Sequence, residues 1–197
     1  GRDRILDRHE AGRSTITFTD TAGTFDPDNG TYADKILPMR QLKVTATYSG
    51  TLYTLYSGFI DEWDYTYSPG ESAAFVTLVA TDAFRILNLT NVTTVSGASA
   101  GDTGTRLGEI LDEVSWPTSS RDFSTGITTC QADPGTTRDT LDACQTVTDT
   151  ELGAFFTKTN GVLKFMDRNA IVKAHAASPT VYVDTGSGIY YESIDFD

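Results

Sequence analysis

LKVTATYSGTLYTLYSGFIDEWDYTYSPGESAAFVTLVATDAFRIL, residues 42–87, is the stretch that decides the fold. Apolar and polar residues alternate along it with a period of two, which predicts strands over 42–47, 52–56, 59–67 and 74–80. The turn residues between them favour antiparallel hairpins, and Thr81-Asp82 can cap a short helix over 83–87. Because such a sheet has an apolar face to bury, the rest of the chain must supply a second layer.

The third of these strands is rich in aromatic side chains. Four of them stand at odd positions and are predicted to share one face: Phe59, Trp63, Tyr65 and Tyr67. Three of these, Trp63, Tyr65 and Tyr67, could form a platform on which sugar rings stack, together with Tyr48, Tyr53 and Tyr56. The favoured interpretation is that they pack the barrel and a subunit contact.

Two segments before this stretch are candidates for contact with a partner. Residues 1–13 are highly charged and form either an arm that meets a partner or crosses the barrel edge, or a solvated loop. After a first strand over 14–20, residues 21–38 form a loop whose length is typical of a binding or subunit contact. Its run from Asp26 to Gly30 resembles the start of a calcium loop. Leu37 stands where an EF-hand needs glutamate, so a plain turn is favoured.

The second half of the chain changes period. Apolar residues at i, i+3, i+4 and i+7 predict a helix over 103–115, and a second helix is predicted over 137–148. A hairpin follows, with strands at 154–159 and 162–167 around Asn160-Gly161. Residues 88–102 and 169–179 are interpreted as linkers, whereas 181–183 and 189–196 alternate like the first strands.

This change of period predicts a mainly β protein with an α+β insertion. Residues 1–98 form an antiparallel β-barrel or sandwich that resumes at about 178–197, and residues 99–177 form two helices packed on a β-hairpin. The chain begins without methionine and ends within an alternating pattern. Both ends are therefore interpreted as cut from something longer.

Composition limits the function classes. The formal net charge of the 197 residues is −12, with 15 Lys plus Arg against 27 Asp plus Glu, so a basic nucleic-acid-binding face is not expected. The acidity provides solubility, or a surface that nucleic acid passes without sticking. No apolar run approaches the ~18 residues of a membrane helix, and no membrane insertion of this segment is expected.

Residues that could carry catalysis or bind a metal are few. His9 and His175 are the two histidines, and neither standard phosphate-loop spacing occurs. Glu62 and Asp64 could form a glycosidase pair, but acids on an exposed strand are usually solvated. We therefore predict no enzyme, and no catalytic, cofactor-binding or metal-binding residue. Two further residues, Cys130 and Cys144, are too few for a disulfide framework, and free thiols are favoured over a bridge.

An ordered series of segments resembles the minor tail proteins of long non-contractile-tailed bacteriophages, particularly those of actinobacterial hosts. The first half contributes GRDRILDRHEAGRSTITFTDTAGTFDPDNG (1–30), ILPMRQLKVTATYSG (36–50), LYSGFIDEW (55–63) and VTLVATDAFRILN (76–88). The second half contributes RLGEILDEVSWP (106–117) and TTRDTLDACQTVTDTELGAFFTKTNGVLKFMDR (136–168). The resemblance covers nearly the whole chain, although family members begin with strands before Gly1-Arg2 and continue beyond residue 197.

The resemblance implies a tail-tip protein similar to the baseplate hub of contractile phages. It implies a tail-tube-like β-barrel in a trimeric ring around the DNA exit channel, joined to the distal tail protein, the tape measure protein and receptor-binding proteins. Acidic side chains would face the passing DNA, with candidates among Asp61, Glu62, Asp64 and Glu71. The arm and the long loop would reach a neighbouring subunit or ring. A carbohydrate-binding β-module for host recognition is the alternative.

Overall fold

The computed structural model describes residues 8–35, 37–67, 74–95 and 99–177. The first half forms a curled four-stranded antiparallel sheet, in the order β1-β4-β3-β2. Its strands are β1 (Arg13–Asp20), β2 (Gln41–Tyr48), β3 (Thr51–Tyr67) and β4 (Ala74–Thr81). The predicted mainly β fold with helices is therefore confirmed. The turn over 68–73, with Glu71, lies outside the described residues, as do the strands predicted within 178–197.

The pairing register separates two faces of this sheet. Ile16 and Phe18 of β1 stand opposite Leu78 and Val76 of β4, and these apolar residues share one face, here called the aromatic face. Trp63 of β3 pairs with Leu78 and belongs to it. The opposite face, here called the threonine face, is mostly polar and consists of Arg13, Thr15, Thr17, Thr19, Phe59, Glu62, Asp64, Thr66, Phe75, Thr77, Val79 and Thr81.

A β-bulge at Asp61 corrects the prediction that four aromatic residues of β3 share a face. The register shifts between Ile60, which pairs with Ala80, and Glu62, which pairs with Val79. Because the extra residue reverses the alternation, Ile60 lies on the same face as Trp63, and Phe59 lies on the other. Sequence alternation alone does not reveal such an insertion.

Strand β3 is 17 residues long and has two successive partners. Its first half, up to Phe59, pairs with β2, and its second half, from Phe59 onward, pairs with β4. Residues 41–58 therefore project beyond β4 as a two-stranded antiparallel hairpin, here called the ribbon. At its root Ser57 and Gly58 are buried, and Gly161 of the second half of the chain lies close to the Ser57 side chain.

The second half of the described chain forms a smaller α/β layer. Its helices are α1 (Ala83–Leu89), α2 (Thr103–Glu113), α3 (Thr140–Glu151) and α4 (Arg168–Ala177). Strands β7 (Arg121–Phe123), β10 (Ala154–Thr157) and β11 (Leu163–Met166) form a sheet in the order β10-β11-β7. Two small pairs complete it, β5 (Asn91–Val92) with β9 (Arg138–Asp139), and β6 (Gly101–Asp102) with β8 (Thr129–Cys130).

One apolar core holds this layer together. It is built by helices α1, α2 and α3 and the β10–β11 hairpin, with Phe84, Leu107, Ile110, Leu111, Cys144, Phe155, Leu163 and Phe165 among its members. The rings of Phe84 and Phe155 stack with centroids 5.2 Å apart, which joins α1 to β10. The predicted helices over 103–115 and 137–148 and the predicted hairpin correspond to α2, α3 and β10–β11.

Three boundaries differ from the sequence analysis. Helix α3 begins at Thr140, after Asp139, rather than at residue 137. Residues 168–177 form α4 rather than a linker, because Asp167 accepts a hydrogen bond from the Ala170 N–H in the first turn and the run is rich in helix-forming alanine. Within the other predicted linker, Val92 and Val95 are buried in the core. The division at residues 98 and 177 stays a prediction.

Candidate functional site

The open surface of the large sheet is the threonine face. Thr15, Thr17 and Thr19 are exposed along β1, and Glu62, Asp64 and Thr66 are exposed along β3. Thr17 and Thr77 share a hydrogen bond of 3.1 Å between their hydroxyl oxygens across the β1–β4 pair. The result is an exposed surface of hydroxyl groups with carboxylates along one strand.

Of the acids predicted to face a channel, the three that the structure describes, Asp61, Glu62 and Asp64, occupy different environments. Glu62 and Asp64 share the threonine face, as predicted, because they are two residues apart on one strand. Asp61 stands in the bulge, where its carboxylate lies 3.6 Å from the Arg85 guanidinium. Glu62 lies 4.0 Å from Arg13, and both side chains are mostly exposed, so this ion pair contributes little to stability. Such an open pair of acids lacks the enclosed cleft of a glycosidase.

The aromatic face is covered by the loop after β1. Phe25 packs edge-on against Phe18, with ring centroids 5.0 Å apart, and also contacts Trp63 at 6.0 Å. Tyr32 packs in turn on Phe25 at 5.5 Å. The half-buried ring of Trp63 is therefore a packing surface, whereas Tyr67, on the same face, is 59% exposed.

Asp20 fixes this loop to the end of β1. Its buried carboxylate accepts hydrogen bonds from the backbone N–H groups of Ala22, Thr24 and Phe25, and from the Tyr65 hydroxyl. Burial by itself would raise the pKa of Asp20, but these hydrogen bonds hold it below its usual value. The long loop is thus an ordered cover of the sheet.

Asp26, the first residue of the calcium-like run, has a local role. One of its carboxylate oxygens accepts the backbone N–H groups of Asp28 and Asn29, at 2.8 and 3.3 Å. The bond from Asp28 is the largest of the causes that lower the pKa of Asp26. This is the geometry of an Asx turn, which the favoured interpretation of the sequence required.

The loop's dependence on Asp20 gives a testable prediction. Asp20→Ala removes four hydrogen bonds, so we expect at least a tenfold faster first cleavage within residues 21–35 by a broad-specificity protease. Asp28→Ala is the matched control, because it removes an exposed carboxylate in the same loop. Limited proteolysis followed by mass spectrometry measures the cleavage rate at each site. Equal rates for both variants would show that Asp20 does not hold the loop.

The described end of the N-terminal arm is bound to helix α3 of the same chain. The Arg8 guanidinium contacts the carboxylates of Asp142 and Asp149 at 2.9 and 2.7 Å, and Gln145 donates a hydrogen bond to the His9 carbonyl. These α3 residues are three or four positions apart and therefore share one helix face. Residues 8–9 thus cross the chain's own α3, while residues 1–7 lie outside the described residues.

A buried carboxylate that sequence reasoning missed joins the two main helices of the α/β layer. Glu151 is fully buried at the end of α3, and its Oε2 accepts hydrogen bonds from Thr103 Oγ1 and from the N–H groups of Ile127 and Thr128, at 2.7–3.0 Å. Burial opposes ionisation, but these bonds hold the pKa of Glu151 below its ordinary value. The sequence contained a signal for this residue, because Glu151 lies seven residues after Cys144 and three after Thr148, on the inner face of the helix.

A groove of about 480 Å³ lies between α2, α3 and the segment after β8. Ile110, Cys130, Ala143 and Val147 supply its apolar walls. Arg106 also lines the groove, but its guanidinium is occupied by Glu109 and by the carbonyls of Ser99 and Gln131. Arg106 therefore does not supply an unpaired charge to the wall of the groove.

Both cysteines are free and buried. Burial raises the pKa of the Cys144 thiol to about 12 and also raises that of Cys130. Both thiols are therefore protonated near neutral pH and poorly nucleophilic. Among the residues that the structure describes, no group of three or more His, Cys, Asp or Glu is arranged to hold a metal ion. No helix in the same residues is long and apolar enough to cross a membrane.

The chain matches no known protein-family model, and no curated protein sequence matches it significantly. Solved structures do match. A tail protein from Neisseria meningitidis MC58 is 12% identical with a TM-score of 0.54, over 87% of this chain and 45% of that one. An Escherichia coli component of the type VI secretion system, described as structurally similar to the T4 bacteriophage tail proteins gp27 and gp5, is 16% identical with a TM-score of 0.54, over 80% and 42%.

A third match is the 43 kDa tail protein of prophage MuSo2 from Shewanella oneidensis, at 15% identity and a TM-score of 0.48, over 82% of this chain and 45% of that one. The chain spans less than half the length of each of these structures. The two matches with the higher score show that the fold is that of phage tail and baseplate-hub-like proteins. This agrees with the family resemblance of the sequence.

Proposed function

We propose that this chain is a structural component of a phage tail tip and forms part of a hub ring around the DNA exit channel. The carrying observation is its fold, which two tail-related structures share over at least 80% of the chain. In this role it joins the tail tube to distal proteins of the tip, in a virion with a long non-contractile tail. Three copies form the ring, in contact with the distal tail protein, the tape measure protein and receptor-binding proteins.

The threonine face is the surface that best suits the wall of such a channel. It is open, its threonine hydroxyls are neutral, and its exposed carboxylates at Glu62 and Asp64 repel the phosphates of DNA, with Arg13 on the same face offsetting part of the Glu62 charge. The aromatic face suits this role less well, because the loop with Phe25 and Tyr32 covers its Phe18 and Trp63 side chains. Of the acids proposed for the channel, Asp61 contributes less, since it already faces Arg85.

This role requires no turnover of substrate. In this role Glu62 and Asp64 repel a passing polymer and do not cleave one. We therefore expect that neither the parent chain nor the Glu62→Gln variant degrades a glycan or peptidoglycan substrate. Glycan release by the purified chain that is lost in Glu62→Gln would instead establish an enzyme.

The position in the virion is tested by electron microscopy. Gold-labelled antibodies against this chain are expected to mark the distal end of the tail, at one locus per particle. Virions that lack the chain are expected to have absent or non-infectious tails. Label on the capsid or along the tail shaft, or infectious virions without this chain, would contradict the proposal.

A further inference from the structure

We propose that the ribbon, residues 41–58, is the surface through which one copy of this chain contacts a second copy. The inference rests on the proposed ring and names the contact within it. The ribbon is separate from both the charged arm, residues 1–13, and the long loop, residues 21–38.

The ribbon exposes apolar side chains on both of its faces. Tyr48, Leu52, Tyr53 and Leu55 have exposed fractions of 75, 65, 49 and 56%. Leu52 and Tyr53 are sequence neighbours on one strand, so they point to opposite faces. A two-stranded hairpin is marginally stable in water by itself, and exposed apolar side chains of this kind are typical of a contact surface.

The two segments first predicted to reach a neighbour are engaged within their own chain where the structure describes them. Arg8 binds Asp142 and Asp149 of α3, and Phe25 packs between Phe18 and Trp63. The described residues of the outer ribbon have no such cover. In the described residues the ribbon exposes more large apolar side chains than the other two elements, four against Tyr32 and Leu37 of the long loop, which are 45 and 52% exposed.

Charge favours a second copy as that partner. Residues 44–60 form the longest uncharged run of the sequence, and residues 40–60 carry Arg40 and Lys43 but no acid. With a net charge of −12 for the chain and +2 for residues 40–60, the other 176 residues carry −14. Two such chains repel each other over most of their surfaces, whereas the ribbon meets an acidic copy without repulsion. Tyrosine enrichment and lack of charge are also typical of interface cores.

Sedimentation velocity over a range of concentrations tests the contact. The 197-residue chain is expected to self-associate, and the double variant Leu52→Asp/Tyr53→Asp is expected to weaken this association at least tenfold. The matched control is Leu89→Asp/Val172→Asp, which places the same charges at apolar positions that are 59 and 67% exposed on α1 and α4. This control is expected to associate like the parent chain, and circular dichroism checks that both variants are folded.

Salt and cross-linking provide readouts that do not depend on a variant's stability. Because the contact is apolar and the acidic copies repel each other, salt that screens this repulsion is expected to strengthen association. Raising NaCl from 0.05 to 0.5 M tests this, since these concentrations bracket the one at which the Debye length is about 10 Å. A photo-cross-linking residue at Tyr53 is expected to give a dimer-sized product, and one at Leu89 is not.

Three results would overturn the inference: a monomeric parent chain at every concentration, equal loss of association in the control, or cross-links from position 53 that stay within one chain, for example to residues 178–197. None of them affects the labelling of virion tails, so the proposed function is tested separately.

Discussion

Replacement of Glu151 by alanine is expected to lower the free energy of unfolding by about 3–5 kcal/mol, the range for removing one partner of a buried charged interaction. Three hydrogen bonds go to its Oε2, whereas its Oε1 has no hydrogen-bond partner among the described residues and lies 3.8 Å from the Arg168 guanidinium. The carboxylate accepts bonds from Thr103 at the start of α2 and from the backbone at Ile127 and Thr128. Its loss leaves those buried donors unpaired and opens a gap at the end of α3. In a chain of this size, the melting temperature should fall by about 6–20 °C.

Differential scanning calorimetry at pH 7 measures this effect. Asp139→Ala is the control, because this acid lies at the other end of α3, is exposed, and makes no capping hydrogen bond with its side chain. The control is expected to change the unfolding free energy by less than about 0.5 kcal/mol. A Glu151→Ala melting temperature within 2 °C of the parent would show that the hydrogen-bond geometry does not stabilise the fold.

The same carboxylate predicts a pH dependence. The pKa of Glu151 in the folded chain lies below its ordinary value of 4.5, so the unfolded chain binds the proton more readily. Its contribution is therefore fully present above about pH 4.5 and is lost as the pH falls through the lower, folded-state pKa. Glu151→Gln should abolish this part of the acid sensitivity. Asp20, whose pKa is also lowered, contributes to the acid sensitivity in the same direction. Asp82, whose pKa is raised by burial, contributes in the opposite direction. The pH dependence of the variant must therefore be compared directly with that of the parent chain.

Phe84→Ala is expected to destabilise the chain by about 3–5 kcal/mol, the cost of removing a large buried aromatic side chain and leaving a cavity. Phe84 is 1% exposed and stacks on Phe155 of β10. Helix α1 directly follows the last strand of the large sheet, so this ring fixes the end of β4 to the core of the α/β layer.

Chemical denaturation measures this loss at equilibrium. Leu89→Ala lies on the same helix, at a residue that is 59% exposed, and is expected to cost less than about 0.5 kcal/mol. A Phe84→Leu variant keeps part of the apolar volume and should recover part of the stability. Equal midpoints for Phe84→Ala and Leu89→Ala would mean that α1 does not contribute to the common core.

The sequence indicated the elements of this fold better than their connections. Alternation identified the strands around Val44, Trp63 and Leu78, and the i, i+3, i+4 stripe around Leu107 identified α2, because each pattern reflects burial on one face of a regular element. It did not reveal that β1 pairs with β4, since pairing between distant strands depends on tertiary packing. The bulge at Asp61 was also missed, because in the sequence an extra residue looks like any other strand residue.

The candidate site shows the same division. That Glu62 and Asp64 share a face followed from their spacing of two, and the structure places both on an open surface. That the loop after Asp20 closes the aromatic face did not follow, because its direction depends on hydrogen bonds and ring contacts between residues far apart in the chain. Length alone suggested contact with another subunit.

Strand β3 also has a mechanical consequence. At about 3.3 Å per residue, its 17 residues extend roughly 55 Å as one continuous backbone from the exposed hairpin tip to the far end of the sheet. The first half of β3 is hydrogen-bonded to β2 and the second half to β4, so the two partner strands pair with different lengths of the same strand. A force applied along β3 at the hairpin tip is therefore expected to load the β3–β4 hydrogen bonds in shear. The change of partner falls at Phe59, which pairs with both Gln41 of β2 and Thr81 of β4, two residues beyond Ser57 and its contact with Gly161.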